Sequence, residues 1–454
     1  MLKIPVISRL DIYDYFSLLF TFSFFLFEKV LRFVLFFIPF NIFKKSSKND
    51  KEAKIDTLNT TKDIVTSWGY PFQEFLVTTE DGYLLSVHRI PEASPKTPTR
   101  EFPTPEISQI QFNIKKSKVN KPVVLLWHGF LMSSEVFVCK PNLLDNLAFW
   151  LVEQGYDVWL GNTRGNKYSQ KHTTLSPLTQ EFWDFSMDEF ARYDLPSTVD
   201  MILKITGANA LAYIGFSQGT AQAFASLSIH NDLNAKINLF ICLAPATSPT
   251  GLVNNTVDAI VRATPNIIYL MFGRKSALSA CLFWQGLLPR ALFVKAIDAS
   301  MKFLFGWKSH NMSDLTKHYC YQHLYSMTSV KCLVHWFQII RANRFQLYDD
   351  LPLPVMESES SRSHVVPGYP TSQIQTPLAV FYGEADTLSD MSQLLSQLPA
   401  PIFCKGIKGF EHLDFLWADD MPNHCFEEMA ELLLRYNIVE FEGASNDKKL
   451  ITSK

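Results

Sequence analysis

The chain has 454 residues, with 42 lysines and arginines against 44 aspartates and glutamates and a formal net charge of −2. This length allows one large α/β domain with an insertion, or two to three smaller domains. Because a nearly neutral chain has no long-range field that attracts polyanions, the composition argues against nucleic acid as a partner. Seven cysteines without a CxxC pair indicate neither a zinc ribbon nor a dense disulfide framework. We also expect no cofactor.

The amino-terminal segment, residues 1–43, is apolar and contains eleven of the 37 phenylalanines. Its two uncharged runs, 15–27 and 33–43, are separated by charged residues that include Glu28 and Arg32. Each run is shorter than the roughly 18 residues that span a bilayer, and a joint span would hold charges near its centre. We expect a retained membrane anchor. A hairpin in one leaflet or two interfacial helices are favoured over a single span.

A basic linker at 44–60 follows the anchor, and its lysines outnumber its acidic residues. By the positive-inside tendency, this excess places the rest of the chain in the cytosol. An ordinary solvated linker is the alternative interpretation.

The globular part opens with two alternating segments, 72–79 and 83–90, joined by the turn Asp81-Gly82. This pattern predicts a β-hairpin. Residues 92–120 carry prolines among serine, threonine and lysine, a composition that does not build a core. We therefore expect a flexible insertion at 92–120.

Beyond this insertion, short apolar runs alternate with helical stretches. The runs are at 123–127, 156–160, 211–214, 239–243, 378–382 and 402–404. Such runs are typical of strands buried on both faces, so the alternation predicts an α/β fold with a mostly parallel sheet between two layers of helices. We expect this core in two parts, 61–245 and 375–436. The aromatic-rich, mainly helical segment between them, 246–374, is expected to form a cap or lid, and the polar tail 437–454 to be disordered.

A candidate nucleophile, Ser217, lies in the stretch GFSQG at 215–219. The stretch follows the buried run 211–214 and precedes a helix-forming sequence at 220–229, as in a nucleophile elbow. The sharp turn of an elbow forces the serine into a strained backbone conformation, which requires small flanking residues. An ordinary serine in a glycine-rich turn is the alternative, and the context disfavours it.

A serine hydroxyl needs a base and an orienting carboxylate, which in this arrangement follow in the order Ser, Asp or Glu, His. His412, just past the last predicted strand, is the candidate base, and His424 is its rival. Asp386, shortly after the penultimate strand, is the candidate acid, and Asp390 is the fallback.

An oxyanion hole requires two backbone N–H groups aimed at the developing negative charge. Gln218, directly after the nucleophile, and Phe130, after the strand at 123–127, are the candidate donors. We interpret His128 as a residue that orders this loop and the GNTRGN sequence at 161–166 as a structural turn.

Together these motifs resemble the acid lipase family, which contains gastric and lysosomal lipases and fungal membrane-anchored steryl ester hydrolases. The matching motifs are GYPFQEFLVTTEDGYLLSVHRIP (69–91), HGF (128–130), GNTRGNKYS (161–169), GFSQG (215–219), GEAD (383–386) and EHLDFLWADD (411–420). They occur in order over nearly all of residues 61–436. The resemblance implies an α/β-hydrolase fold, a triad of Ser217, Asp386 and His412, and hydrolysis of apolar esters without a metal.

Two cap sequences, FWQGLLPRALF (283–293) and SVKCLVHWFQI (329–339), and the double apolar anchor look most similar to yeast sterol esterases of lipid droplets. This resemblance implies steryl ester hydrolysis at a lipid droplet or endoplasmic reticulum membrane, reached through residues 15–43. A triacylglycerol lipase or an acyltransferase of the same fold is the first alternative. A non-catalytic lipid-binding or tethering protein is the second, and the intact triad argues against it.

Overall fold

The computed structural model describes residues 59–94, 121–249, 265–277, 279–350 and 365–442. It also describes Leu19, Ser23, residues 26–30, Arg32 and Val261. Most of the predicted anchor (1–43), linker (44–60) and insertion (92–120) lies outside these residues. Within the described part of the chain, none of the helices has both the length and the hydrophobicity that crossing a bilayer requires.

One mixed sheet forms the centre of the described chain. Its strands are β1 (Gln73–Thr78), β2 (Tyr83–Ile90), β3 (Val123–Trp127), β4 (Asp157–Leu160), β5 (Lys171–His172), β6 (Leu211–Phe216), β7 (Ile237–Leu243), β8 (Leu378–Gly383) and β9 (Phe403–Ile407). Their order is β1-β2-β4-β3-β6-β7-β8-β9, and β5 pairs with β2. The predicted hairpin is present, since β1 and β2 are antiparallel, and β2 is also antiparallel to β4. From β4 to β9 in this order, neighbouring strands are parallel.

Helices connect most of these strands. They are α1 (Thr61–Ser67), α2 (Leu147–Glu153), α3 (Met187–Glu189), α4 (Leu195–Thr206), α5 (Gln218–Ile229), α6 (Asn231–Lys236), α7 (Pro265–Phe272), α8 (Ser279–Leu287), α9 (Arg290–Phe305), α10 (Asp314–Cys320), α11 (Val330–Ala342), α12 (Met391–Gln397), α13 (Asp414–Trp417) and α14 (Met421–Glu442). A π-helical turn at Phe190–Asp194 joins α3 to α4. Helices α7 to α11 lie between β7 and β8, within the segment predicted as the cap.

The sheet is buried from both sides because its central strands are apolar at successive positions. On β3, Val124 and Leu126 belong to the same apolar cluster as residues of α2 and α14. Leu125 and Trp127, which point to the opposite face, belong to a cluster with residues of α4 and α5. The predicted α/β arrangement with helices on both faces is therefore confirmed.

Several element ends differ from the sequence-based expectation, and two of them have a local reason. β6 continues beyond its apolar run to Phe216, because the backbone of Gly215 pairs with β3 and β7 without needing a side chain. α14 continues to Glu442, beyond Tyr436, the residue after which the sequence predicts a polar tail. After Pro422, no glycine or proline occurs before Gly443 to end this helix.

Candidate active site

Four loops meet at the edge of the sheet where the parallel strands end. They follow β3, β6, β8 and β9 and carry His128, Ser217, Asp386 and His412. Because the carboxyl ends of parallel strands lie at one edge, residues far apart in the chain converge there.

Ser217 lies at the sharp turn between β6 and α5. Its backbone has φ 53° and ψ −118°, a conformation that residues other than glycine rarely adopt. The Ser217 N–H holds the turn by donating to the carbonyl oxygen of Leu243 at 3.0 Å. Gly219 approaches the backbone of Trp127 so closely that an added Cβ would overlap its carbonyl oxygen. The turn therefore has the strain and the close packing of a nucleophile elbow.

The three side chains predicted as a triad form one hydrogen-bonded chain. Ser217 Oγ lies 2.7 Å from His412 Nε2, and His412 Nδ1 lies 2.7 Å from Asp386 Oδ2. Since a carboxylate only accepts, the imidazole proton is on Nδ1, and Nε2 accepts the proton of the serine hydroxyl. Ser217 is 9% exposed and His412 is 4% exposed, so bulk water has little access to this hydrogen-bonded chain. This geometry can activate the hydroxyl as a nucleophile.

Direct contacts between two loops align the carboxylate with the imidazole. The backbone N–H of Ala385 donates to the carbonyl oxygen of Phe410 at 3.0 Å. An added Cβ at Gly383 would overlap the same oxygen. The glycine therefore allows the loops of Asp386 and His412 to approach until their side chains meet.

The rival residues have other partners. Asp390 is the N-cap of α12, where its carboxylate accepts the N–H of Gln393 at 3.0 Å. His424 lies in α14, and its Nε2 is 3.0 Å from a carboxylate oxygen of Asp420 at the protein surface. Their positions support neither residue as a member of the hydrogen-bonded chain.

One predicted oxyanion donor, Gln218, directly follows the nucleophile, and the other, Phe130, lies on the loop after β3. Gln218 is the first residue of α5, and its buried side chain accepts the indole N–H of Trp336 at 2.6 Å. Phe130 follows Gly129, and Gly129 lies against the ring of Phe216, the residue directly before Ser217. The role of the two backbone N–H groups in binding an oxyanion stays a prediction.

Comparisons with known proteins identify the family of this chain. The model of the α/β hydrolase fold matches residues 122–419, and that of a partial α/β-hydrolase lipase region matches residues 61–141. A probable lipase of Schizosaccharomyces pombe is 42% identical, over 95% of this chain and 93% of its own length. Human gastric triacylglycerol lipase is 34% identical, over 83% and 91%. Human lysosomal acid lipase/cholesteryl ester hydrolase is 33% identical, over 84% and 92%.

The chain belongs to the acid lipase family. This membership confirms the resemblance seen in the motifs and the α/β-hydrolase fold, and it makes the chain a carboxylic ester hydrolase of the lipase type. The finer resemblance to sterol esterases stays a prediction.

His128 of this lipase is held as a neutral ring that orders two loops. Its Nδ1 donates to the carbonyl oxygen of Gly129 at 2.8 Å, and its Nε2 accepts the N–H of Thr163 at 3.2 Å. Burial lowers the pKa of His128 to about 4. The ring therefore connects the loop of Phe130 to the GNTRGN loop, which supports its interpretation as an ordering residue.

The lipase also contains a buried ion-pair network that the sequence reasoning did not assign. Arg164, in the GNTRGN loop, lies 2.7 Å from Asp194 at the end of the π-helical turn and also pairs with Asp81 in the β1–β2 turn. Its guanidinium lies 4.0 Å from the ring centre of Tyr83. The sequence signal that could have indicated this network is Arg164 itself, a single arginine between two buried segments. The network fixes this loop, which agrees with a structural turn.

Asp414 is a second residue whose role the sequence reasoning missed, although it lies in a quoted motif. Its Oδ2 accepts the N–H of Glu411 at 2.6 Å and the side-chain N–H of Asn311 at 2.8 Å. Burial raises the pKa of Asp414 to about 6, against the effect of these two hydrogen bonds. Asp414 closes the turn that carries His412 and connects it to the cap.

Proposed function

We propose that this lipase hydrolyses carboxylic esters of apolar lipids through an acyl-enzyme. In this reaction Ser217 Oγ attacks the ester carbonyl while His412 Nε2 takes the hydroxyl proton. The imidazolium, stabilised by Asp386, then gives this proton to the leaving alcohol. A water molecule activated by the same ring releases the fatty acid and restores the serine. The observation that carries the proposal is the pair of 2.7 Å contacts that joins the three side chains.

Removing the nucleophile tests this mechanism. Ser217→Ala is expected to lower kcat by at least about 10⁴-fold and to abolish labelling by a fluorophosphonate probe. Ser226→Ala is the matched control, because Ser226 is a buried serine of helix α5, which begins directly after Ser217, and this variant is expected to keep both signals. If folded wild-type protein took no label and hydrolysed no ester, the non-catalytic lipid-binding alternative would replace the proposal.

We propose steryl esters as the preferred substrates. Helix α9 of the cap buries Phe293, Ile297 and Met301, while its Leu292 and Phe303 are 52% and 54% exposed. Exposed apolar side chains on a cap suit a bulky, apolar substrate presented by an oily phase. The human lysosomal relative is named a cholesteryl ester hydrolase, which also supports this choice.

A direct comparison of substrates tests the preference, because the gastric relative is named a triacylglycerol lipase. Purified full-length protein is given a steryl ester and a triacylglycerol in one emulsion, and both products are quantified. A higher kcat/KM for the steryl ester is expected. Faster triacylglycerol hydrolysis would contradict the proposal, and formation of a new ester from an added alcohol would identify the acyltransferase alternative.

We further propose that the amino-terminal segment attaches the lipase to a lipid droplet or to the endoplasmic reticulum membrane, with the catalytic part in the cytosol. Two charged residues of the segment contact the cap: Trp284 Nε1 donates to Glu28 at 3.0 Å, and Lys29 Nζ donates to the Met271 carbonyl oxygen at 3.2 Å. The apolar residues beside them are more than half exposed, namely Leu26, Phe27 and Val30. These contacts support an interfacial segment, with its charged residues on the protein and its apolar residues toward lipid.

Truncation tests the attachment. A chain lacking residues 1–43 is expected to leave the membrane and droplet fractions while it still hydrolyses a soluble short-chain ester. The control is Glu28→Ala with Lys29→Ala, which keeps the apolar residues and is expected to stay in the membrane fraction. Unchanged targeting of the truncated chain would contradict the proposed anchor.

A further inference from the structure

The last residue of helix α9 of the cap and the loop that follows it contact the catalytic residues. We call residues 305–309 the strap. The strap residue Trp307 places its indole parallel to the imidazole of His412, with an angle of 11° between the rings and 5.4 Å between their centres. Trp307 is only 4% exposed, so this contact is part of the protein interior. The imidazole also contacts the ring of Phe216, at 5.1 Å and an angle of 51°.

The indole itself is fixed on the side of the acid loop. Its Nε1–H donates to Thr387 Oγ1 at 3.1 Å, and Thr387 directly follows Asp386. The ring of Phe305 stacks on the indole at 4.3 Å with an angle of 21°. Trp307 therefore contacts the imidazole and, through one hydrogen bond, the residue next to the orienting carboxylate.

The backbone of the strap is bound to the loop of the base. The N–H groups of Lys308 and Ser309 each donate to the carboxylate of Glu411 at 2.8 Å. Glu411 directly precedes His412 in the chain. The strap thus holds the acid loop and the base loop together from the cap side.

We infer that Trp307 is a positioning residue for His412. During the proposed reaction the imidazole must keep Nε2 within hydrogen-bonding distance of the serine oxygen and then of the leaving oxygen, and it becomes positively charged. A parallel indole restricts rotation of the ring, and the electron-rich indole face attracts the imidazolium. Both effects act on the transition state more than on substrate binding, so they contribute to kcat rather than to KM.

This inference rests on the proposed roles of Ser217 and His412, and steady-state kinetics of the purified full-length chain on a soluble short-chain ester test it. Trp307→Leu is expected to lower kcat by roughly 10- to 100-fold while KM changes by no more than about 3-fold. Trp307→Phe keeps a stacked aromatic ring and is expected to recover most of this loss. Thr387→Val keeps the indole without its hydrogen-bond acceptor and is expected to fall between wild type and Trp307→Leu.

Trp150→Leu is the matched control. Trp150 is a buried tryptophan of α2 that stacks on Phe426 at 4.3 Å, and the structure places it outside the catalytic loops. This variant is expected to unfold at a lower temperature with kcat unchanged. Thermal unfolding of each variant separates loss of fold from loss of rate.

Three results would overturn the role of Trp307 while wild type stays active and Ser217→Ala is inactive. They are a wild-type kcat in Trp307→Leu, an equal loss in Trp307→Phe and Trp307→Leu, and an equal loss of kcat in Trp150→Leu. Inactive wild-type protein, or activity that survives Ser217→Ala, would instead overturn the proposed function together with this role.

Discussion

The carboxyl edge of the sheet and the cap are held in different ways. At the sheet edge, β3 and β6 are buried at every residue, and the start of α5 approaches the end of β3 at backbone distance. The cap keeps apolar side chains at its surface, since Leu270 of α7 is 71% exposed and Phe303 of α9 is 54% exposed. Its contacts with the core include polar pairs such as His323 Nδ1 and Glu135 Oε2, which are 2.8 Å apart.

The sheet edge and the cap are therefore suited to two different tasks. Proton transfer requires distances that hold within a few tenths of an ångström, and a close-packed sheet edge supplies them. Access to an insoluble ester requires an apolar surface that opens at a lower free energy than the core. The strap, residues 305–309, lies where the two regions meet, so a movement of the cap would also move groups that contact His412.

The largest expected effect is the loss of kcat when Asp386, the acid at the carboxyl edge of the sheet, is changed. Asp386→Asn removes the charge that holds the imidazole in its correct tautomer and is expected to lower kcat by about 10⁴-fold. Asp390→Asn is the matched control, because asparagine is an equally good N-cap for α12 and is expected to leave kcat unchanged. Steady-state kinetics on a soluble ester measure both. Equal losses in the two variants would remove Asp386 from the proposed triad.

The next effect concerns the stability of the core beside the site. Arg164→Met leaves the fully buried carboxylate of Asp194 without its cation and is expected to lower the free energy of unfolding by about 3–5 kcal/mol. Lys236→Met is the control, because Lys236 and its partner Asp200 are 31% and 56% exposed in their ion pair, which is expected to contribute about 1 kcal/mol or less. Urea denaturation compares the two. Similar losses would show that burial does not distinguish these ion pairs.

A pH series tests the link between the base loop and the cap. The carboxyl of Asp414 keeps its proton to about pH 6 in the folded chain and to about pH 4 in the unfolded chain. The unfolded chain therefore loses this proton first, and the contribution of Asp414 to stability falls as the pH rises through this window. Asp414→Asn does not titrate, so its stability relative to wild type is expected to improve by roughly 2–3 kcal/mol between pH 4 and 7.5. A difference that stays constant with pH would contradict the raised pKa.

The smallest effect concerns the strap itself. Glu411→Ala removes the acceptor of the Lys308 and Ser309 N–H groups and is expected to cost about 1 kcal/mol of stability. Hydrogen exchange of these two amides is expected to become faster, and kcat to fall by a few fold. Glu384→Ala, at an exposed position of the neighbouring acid loop, is the control and is expected to change neither. Unchanged exchange in Glu411→Ala would show that the strap does not depend on this carboxylate.

Much of the core could be predicted because its signals are local. Short apolar runs such as 123–127 that alternate with helical stretches indicate buried strands, since their residues are favourable in the interior of a parallel sheet. The glycines around Ser217 indicate the elbow for a similar reason, because the turn excludes larger residues. Asp386 and His412 could be predicted because each follows one of the last two strands. The structure places both side chains in one hydrogen-bonded chain with Ser217.

The cap gave weaker signals. Its sequence is aromatic and helical, but nothing in it shows which aromatic ring faces the site. Trp307 and His412 are far apart in the chain, and only the path of the backbone after Gly306 brings their rings together. The same limit applies to the charged residues between the apolar runs 15–27 and 33–43, which are compatible with three membrane arrangements. The sequence does not show that Glu28 contacts Trp284, because this contact depends on the folded cap.

The amino-acid sequence by itself determined the family, the α/β core and the three residues proposed for catalysis, because short-range patterns and residue chemistry specify them. Only the tertiary structure decided which groups orient and tune those residues. The stacking on His412, the neutral state of His128 and the raised pKa of Asp414 depend on burial and on neighbours from distant parts of the chain.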